Sequence, residues 1–220
     1  MPWIMIGRRP LVQAAGLLVA LASCAFQSVR INNPRIDLAT QPIRIRIDGI
    51  TIGAGCICVL DRTQGVFCIP VNPFPEIPRG SKQSNGWINV ENSEGAEDLS
   101  GNESNVCVRR GQSILCWGSN RFGQLDVSDV TSRTALGVIQ TCDAHPTRVM
   151  MGLTFGCCVE EGAARLSCWG DNAFQQVPGG EDGVSLRSVG VIAPGPIASL
   201  ALGTLHGCLL TSTATYSAGD

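Results

Sequence analysis

Cys107-Val108-Arg109, followed after a short turn by Cys116-Trp117-Gly118-Ser119-Asn120-Arg121-Phe122-Gly123-Gln124-Leu125-Asp126, is the stretch that decides how this chain folds. It recurs. Cys158-Val159-Glu160 leads to Cys168-Trp169-Gly170-Asp171-Asn172-Ala173-Phe174-Gln175-Gln176-Val177-Pro178. Upstream, Cys58-Val59-Leu60 leads to Cys68-Ile69-Pro70-Val71-Asn72-Pro73-Phe74, a degenerate copy in which Ile69-Pro70 replaces Trp-Gly. A fourth copy opens at His206-Gly207-Cys208-Leu209-Leu210 and runs to Ser217-Ala218-Gly219-Asp220, with Ser-Ala where Cys-Trp is expected. The leading cysteines stand at intervals of 49, 51 and 50 residues. A fixed period of this length marks a repeat architecture, in which each unit buries its apolar face on its neighbours.

Each unit has the same internal grammar. A glycine (Gly53, Gly101, Gly152, Gly203) precedes a short apolar strand carrying cysteine. A polar turn follows, such as Asp61-Arg62-Thr63-Gln64-Gly65, and a second strand returns, such as Ser113-Ile114-Leu115-Cys116-Trp117. Two short strands joined by a polar turn form a β-hairpin. Ile43-Arg44-Ile45-Arg46-Ile47-Asp48 alternates strictly, the pattern of a half-exposed strand. The 26 glycines and 12 prolines suit many short strands and turns, and no long amphipathic helix pattern occurs.

The Cys … Cys-Trp-Gly-x-Asn-x-Phe-Gly-Gln-Leu grammar resembles the repeats of the regulator-of-chromosome-condensation family, in the cysteine-rich form of exported bacterial proteins. The resemblance covers about residues 43–220. It implies an all-β fold: a partial β-propeller of about three to four four-stranded antiparallel blades around an axis. The blades are expected at about 43–90, 91–140 and 141–190, with an incomplete one at 191–220. Because the family's rings have seven blades, an open arc, a truncated ring or completion by a second chain or by self-association is expected.

Cysteines opposed on adjacent antiparallel strands come within disulfide reach. Cys58–Cys68, Cys107–Cys116 and Cys158–Cys168 then staple three hairpins, each worth about 2.5–3 kcal/mol in the chain-entropy picture. Cys142–Cys157 is a plausible fourth bridge, and the adjacent Cys157 and Cys158 can exchange roles. Cys56 and Cys208 pair if the ends meet and otherwise stay free. Neither Cys56-x-Cys58 nor Cys157-Cys158 has zinc-knuckle spacing, so no metal site is expected. Trp117, Trp169, Phe74, Phe122 and Phe174 are read as blade-packing residues. Asn72, Asn120 and Asn172 suit turns in which the side-chain amide bonds nearby backbone.

The N-terminus reads as an address and an anchor. Arg8 and Arg9 precede Leu11–Ala22, an apolar run long enough for a signal-peptide core and shorter than the roughly 20 residues of a membrane span. The run ends in Leu21-Ala22-Ser23-Cys24, which resembles the lipobox of bacterial lipoproteins. The resemblance implies cleavage after residue 23 and lipidation of Cys24. The competing reading is an ordinary cleaved signal with an incidental cysteine. Residues 24–42, polar and broken by Pro34 and Pro42, read as a flexible tether. Location in the cell envelope, anchored by lipid or else secreted, is the expectation, and 11 cysteines fit an oxidising compartment.

The 16 basic and 18 acidic residues give a formal charge of −2, and losing Arg8 and Arg9 makes the remainder more acidic. No electrostatic footprint for nucleic acid is present. Catalytic groups are sparse. His206 occupies a repeat position where the family often has histidine, and His145 sits beside Pro146 with no evident partner. Glu160-Glu161 and Glu181-Asp182 read as solvated turn residues. No Gly-x-Ser-x-Gly or phosphate-cradling Gly-x-x-x-x-Gly-Lys occurs. The expectation is a non-enzymatic binding module without a cofactor. Its partner, a protein or a cell-surface glycan, would be met by connectors such as Arg79 to Asn92 and Pro178 to Gly190. A secreted inhibitor-like propeller is the alternative, and nucleotide exchange on a small GTPase is a remote one.

Overall fold

A computed structural model describes residues 4–5, 44–71, 76–125, 133–139, 142, 145–162, 164–177 and 186–219. Cys24, the tether, Asn72, Phe74 and most of the Pro178–Gly190 connector lie outside the described residues. All regular structure among them is β.

Four antiparallel sheets follow one another along the chain. The first contains β2 (Gly49–Gly53), β3 (Cys56–Asp61), β4 (Gly65–Pro70), β5 (Lys82–Ser84) and β6 (Trp87–Asn89), in the order β2-β3-β4-β6-β5. The second is β7 (Asp98–Gly101), β8 (Asn105–Arg110), β9 (Ser113–Gly118) and β10 (Arg133–Ile139). The third is β11 (Pro146–Met151), β12 (Phe155–Glu160), β13 (Arg165–Gly170) and β14 (Leu186–Ile192). The fourth is β15 (Ile197–Leu202), β16 (His206–Thr211) and β17 (Thr215–Gly219). Its outer edge is met by β1 (Ile4–Met5), from the segment read as a leader, with Ile4 opposite Ser217.

The first strand of each unit lies innermost. β2 packs against β7, β7 against β11, and β11 against β15. The four sheets form an arc that does not close on itself. Bonds between inner strands span one repeat. Asp98 Oδ2 accepts the Val149 N–H at 2.9 Å, and Ser100 Oγ accepts the Met151 N–H at 3.0 Å. Leu153 N–H donates to the Gly203 carbonyl at 3.2 Å. These bonds satisfy strand-edge groups that a hairpin-built sheet leaves unpaired.

Alternation along each strand sends one row of side chains to the preceding sheet and the other to the following one. Three apolar cores result, one per interface. Cys58, Leu60 and Cys68 of the first sheet meet Val106, Val108, Leu115 and Trp117 of the second. Cys107, Ile114 and Cys116 of the second meet Val149, Met151, Cys158 and Trp169 of the third. Phe155, Cys157, Leu166 and Cys168 meet Leu200, Leu209 and Tyr216 of the fourth. At the ends of the arc, the outward rows stay open. Ile50 and Ile52 of the first sheet are exposed, as are Cys208 and Leu210 of the fourth.

Hairpin turns use side-chain acceptors. Asp61 is buried, and its Oδ1 accepts from Thr63 Oγ1 at 2.6 Å and from the Thr63 N–H at 2.9 Å. Its Oδ2 accepts from the Arg46 N–H at 2.9 Å and from Gln64 Nε2 at 2.7 Å. These donors, the Thr63 hydroxyl foremost and then the Arg46 N–H, hold the Asp61 carboxyl far below its ordinary value. A carboxylate depressed on folding stabilises the fold above its unfolded pKa, and that contribution is lost as pH falls through the folded pKa. Asp61→Asn is therefore expected to lower the urea midpoint at neutral pH. The gap from wild type should narrow as pH falls below about 4.

Candidate functional site

The connector from Arg79 to Asn92 folds into a hairpin on the outer side of the first sheet. Asn85 and Gly86, with φ of 50° and 82°, form the two-residue loop between β5 and β6. Left-handed backbone at both loop positions suits the right-handed strand twist, and Asn-Gly is the favoured pair for it. β6 then pairs with β4, Phe67 opposite Asn89, and β5 pairs with β6, Lys82 opposite Asn89 and Ser84 opposite Trp87. Period-2 geometry puts Phe67, Asn89, Lys82, Ser84 and Trp87 on one face. With Gln64 from the adjacent turn they line a cavity of about 470 Å³. Its size falls within the few-hundred to thousand Å³ typical of ligand pockets. Phe67 is buried, Trp87 and Asn89 are half-buried, and Lys82, Ser84 and Gln64 are exposed. The Gln64 amide nitrogen donates to the Arg44 carbonyl at 2.9 Å and to Asp61, which fixes the orientation of its side chain.

Three of the four disulfides staple hairpins: Cys58–Cys68, Cys107–Cys116 and Cys157–Cys168, with Cα separations of 4.0, 4.1 and 4.1 Å. The fourth, Cys142–Cys158, ties a connector to β12. The first-named pairing of Cys158 with Cys168 and Cys142 with Cys157 is thus corrected to the exchanged one. The register decides it: Cys157 lies opposite Cys168, while Cys158 lies opposite Ser167 and faces the second sheet. Cys56 is free and buried, which pushes its thiol up to about 11, and Cys208 is free and exposed.

Cys208 lies opposite Ser217 in the register that holds hairpin disulfides in the other sheets. Ser217→Cys is expected to oxidise with Cys208 and to add about 2.5–3 kcal/mol. Loss of the free Cys208 thiol in a thiol titration, together with a raised melting temperature, checks it.

Trp117 and Trp169 are buried between sheets. Phe122 and Phe174, expected to pack between blades, are instead each 43 % exposed. The loop explains the correction. Asn120 Oδ1 accepts the Leu125 N–H at 2.6 Å, and Gln124 Oε1 accepts the Phe122 N–H at 2.8 Å. Asn172 and Gln176 repeat both bonds with Val177 and Phe174. This double clamp buries Asn120, Gln124 and Leu125 and leaves the phenylalanine at the outer bend, where Arg121 stacks 5.8 Å from the Phe122 ring centroid. Gln175, where the second repeat has Gly123, is held at φ 56°, a conformation that glycine adopts without cost.

Glu160, read as solvated, is fully buried. It accepts from the Ser167 hydroxyl and pairs with Arg165 Nε at 3.0 Å across the hairpin. His145 precedes β11, and its carbonyl accepts the Glu161 N–H at 2.8 Å. His206 opens β16, with its ring beside Gly203. Among the described residues no group of three or more His, Cys, Asp or Glu is placed to hold a metal ion. The groove residues other than Gln64 and Phe67 lie within the first connector. Their clustering could have been sought through the Asn85-Gly86 pair, although each flanking strand is only 3 residues long.

No protein-family model matches the chain, and no curated protein matches it. Solved structures do. The chain is similar to Prp20p from Saccharomyces cerevisiae, with a TM-score of 0.64 and 17 % identity over 82 % of this chain and 47 % of that one. Yeast RCC1 (Prp20) bound by Kap60 gives 0.63 and 16 % over 80 % and 44 %. Human WBSCR16 gives 0.62 and 13 % over 78 % and 48 %. The chain therefore spans a little under half the length of each. At such identities the likeness is one of fold: the four sheets have the fold of part of an RCC1-type β-propeller.

Proposed function

We propose that the protein is an exported, membrane-tethered binding module that recognises a protein or a cell-surface glycan without catalysing a reaction. In this reading residues 1–23 direct export, Cys24 carries lipid, residues 24–42 form the tether and the remainder is the repeat array. One observation carries it: a connector folds back on a disulfide-stapled sheet as a tight hairpin and builds a groove with it. Recognition from connectors held on a rigid scaffold is the common use of such folds. Protein binding is also what the yeast structures describe for their own chains, Kap60 in one and Gsp1p and histones in the other. The fully buried carboxylates among the described residues, Asp61 and Glu160, are engaged in turn and hairpin bonds.

Two measurements test the reading. Cells expressing the full chain should incorporate labelled fatty acid, and the protein should partition to membranes, both lost in Cys24→Ala. Retention of membrane partition by Cys24→Ala would overturn the lipid anchor. Substrate turnover by the purified protein that is abolished by His145→Ala would overturn the non-enzymatic assignment.

A further inference from the structure

The groove on the first sheet has a chemistry of its own. It combines an aromatic surface, amide groups, a hydroxyl and a cation. The half-buried indole of Trp87 offers an apolar platform beside the ring of Phe67. Asn89 lies between Phe67 and Lys82 in the same cross-strand row. Its side-chain oxygen is buried with no hydrogen-bond partner. A buried acceptor left unpaired costs free energy, and the group that relieves it is a donor. The Gln64 amide nitrogen is already committed to Arg44 and Asp61, so that amide presents its oxygen as a second acceptor. Ser84 contributes a hydroxyl opposite Trp87. Lys82 is exposed and, among the described residues, in no salt bridge.

A ligand matching this set carries several hydroxyl donors, an apolar face for the indole and a negative charge for the ammonium. A pyranose ring has all but the charge: hydroxyls at its rim and C–H groups across its face. A carboxylated sugar has the charge too. A peptide would instead be drawn to the unpaired backbone of the edge strand β5, because strand addition uses main-chain bonds along an edge. The cavity lies on the face of the sheet, lined by side chains.

We propose that Trp87, Asn89, Gln64, Ser84 and Lys82 form a saccharide-binding site, with Trp87 stacking on a pyranose face and Lys82 selecting a carboxylated sugar. The site rests on the reading of the protein as a binding module and names its ligand class.

The test is a fluorescence and calorimetric titration of the full mature protein with oligogalacturonate, which is carboxylated, and with a neutral cello-oligosaccharide. Trp117 and Trp169 are buried, and Trp3 lies in the segment that the proposed reading removes from the mature protein, so a ligand-dependent change in emission reports on Trp87. A saturable change with oligogalacturonate is expected, at a Kd between about 10 μM and 1 mM. Trp87→Ala should weaken binding by at least about tenfold, and Trp87→Phe should restore part of it. Lys82→Gln should erase the preference for the carboxylated sugar over the neutral one. Lys82 is exposed on an edge strand, so this variant keeps the test sound if Trp87→Ala perturbs the hairpin. Absence of saturation with both sugars up to about 10 mM would overturn the site. So would affinities indifferent to both Trp87→Ala and Lys82→Gln. Capture of an envelope protein that Trp87→Ala abolishes and that neither sugar competes would overturn it in favour of a protein-docking surface. If wild-type protein captures an envelope partner yet binds no sugar, the saccharide assignment fails and the binding-module reading stands.

Discussion

Trp169→Ala is expected to destabilise the fold by about 4–5 kcal/mol, at the upper end for a buried aromatic truncation. The indole is 1 % exposed and lies in the core between the second and third sheets. Its removal opens a cavity there, and it also costs a specific bond. Trp169 Nε1 donates at 2.8 Å to the carbonyl of Gln124, in the clamped loop of the preceding repeat. Trp117 occupies the same place one repeat earlier, but its Nε1 is buried without a partner. Phenylalanine separates the two effects. Trp169→Phe should cost about 1–2 kcal/mol more than Trp117→Phe, since only the former orphans a buried carbonyl and only the latter removes an orphaned donor. Urea midpoints at unchanged m-value measure the difference. Equal losses would show that the interblade bond contributes nothing.

Gly118→Ala is expected to cost about 3 kcal/mol or more and to lower the melting temperature by about 10 °C. Gly118 sits at φ 107°, where an L side chain costs about 1–2 kcal/mol by itself. A Cβ there would stand 2.3 Å from the Ser104 carbonyl and 2.7 Å from the Asn105 Cα, both backbone atoms of the adjoining strand entry. Backbone must therefore move, and that movement disturbs the Ser119 N–H bond to the same Ser104 carbonyl. Gly111→Ala is the control. Its φ is 56°, and a Cβ meets nothing within 4 Å. It should lose only about 1 kcal/mol. Similar losses at both sites would show that the backbone at Gly118 yields more readily than the contacts imply. The same conformation recurs at Gly170 and Gly219, so glycine after the Trp-equivalent position is a geometric demand of the second, third and fourth repeats, whereas the degenerate first has Pro70 there.

These residues also show what could be read in advance. The hairpins and their cysteines were legible because two periods coincide: alternation within strands and a spacing of about 50 residues between them. The choice between Cys157 and Cys158 was not. Adjacent residues face opposite sides of a strand, so a shift of one exchanges intra-sheet and inter-sheet roles. Spacing alone could not set the register, because the third sheet's hairpin spans 11 residues between its cysteines and the second spans 9. Phe122 and Phe174 misled for another reason. A repeated aromatic has the pattern of a core residue, yet the Asn and Gln clamps give the buried place to Leu125 and Val177. Glu160 reads as a turn residue until Arg165 and Ser167 are found across the hairpin. The groove draws together a turn, a strand and a connector, and in the sequence only the connector reads as a place for recognition.

The disulfides close loops of 9 to 16 residues, each inside one repeat and none crossing to another. Among the described residues no disulfide joins one sheet to another; apolar cores, inner-strand bonds and side-chain bonds such as that of Trp169 to Gln124 hold them together. Pulled from its ends, such a chain yields in series. Each sheet is expected to detach from its neighbour as a separate event; the first three then extend only as far as their stapled hairpins allow, while the fourth, with Cys208 free, has no staple. Force–extension traces should show a row of sawtooth steps, those of the first three sheets shorter than a full repeat at about 3.5 Å per residue and lengthening once reductant is added, that of the fourth unaffected by reductant. Three locked links and one open link would then relieve tension one at a time.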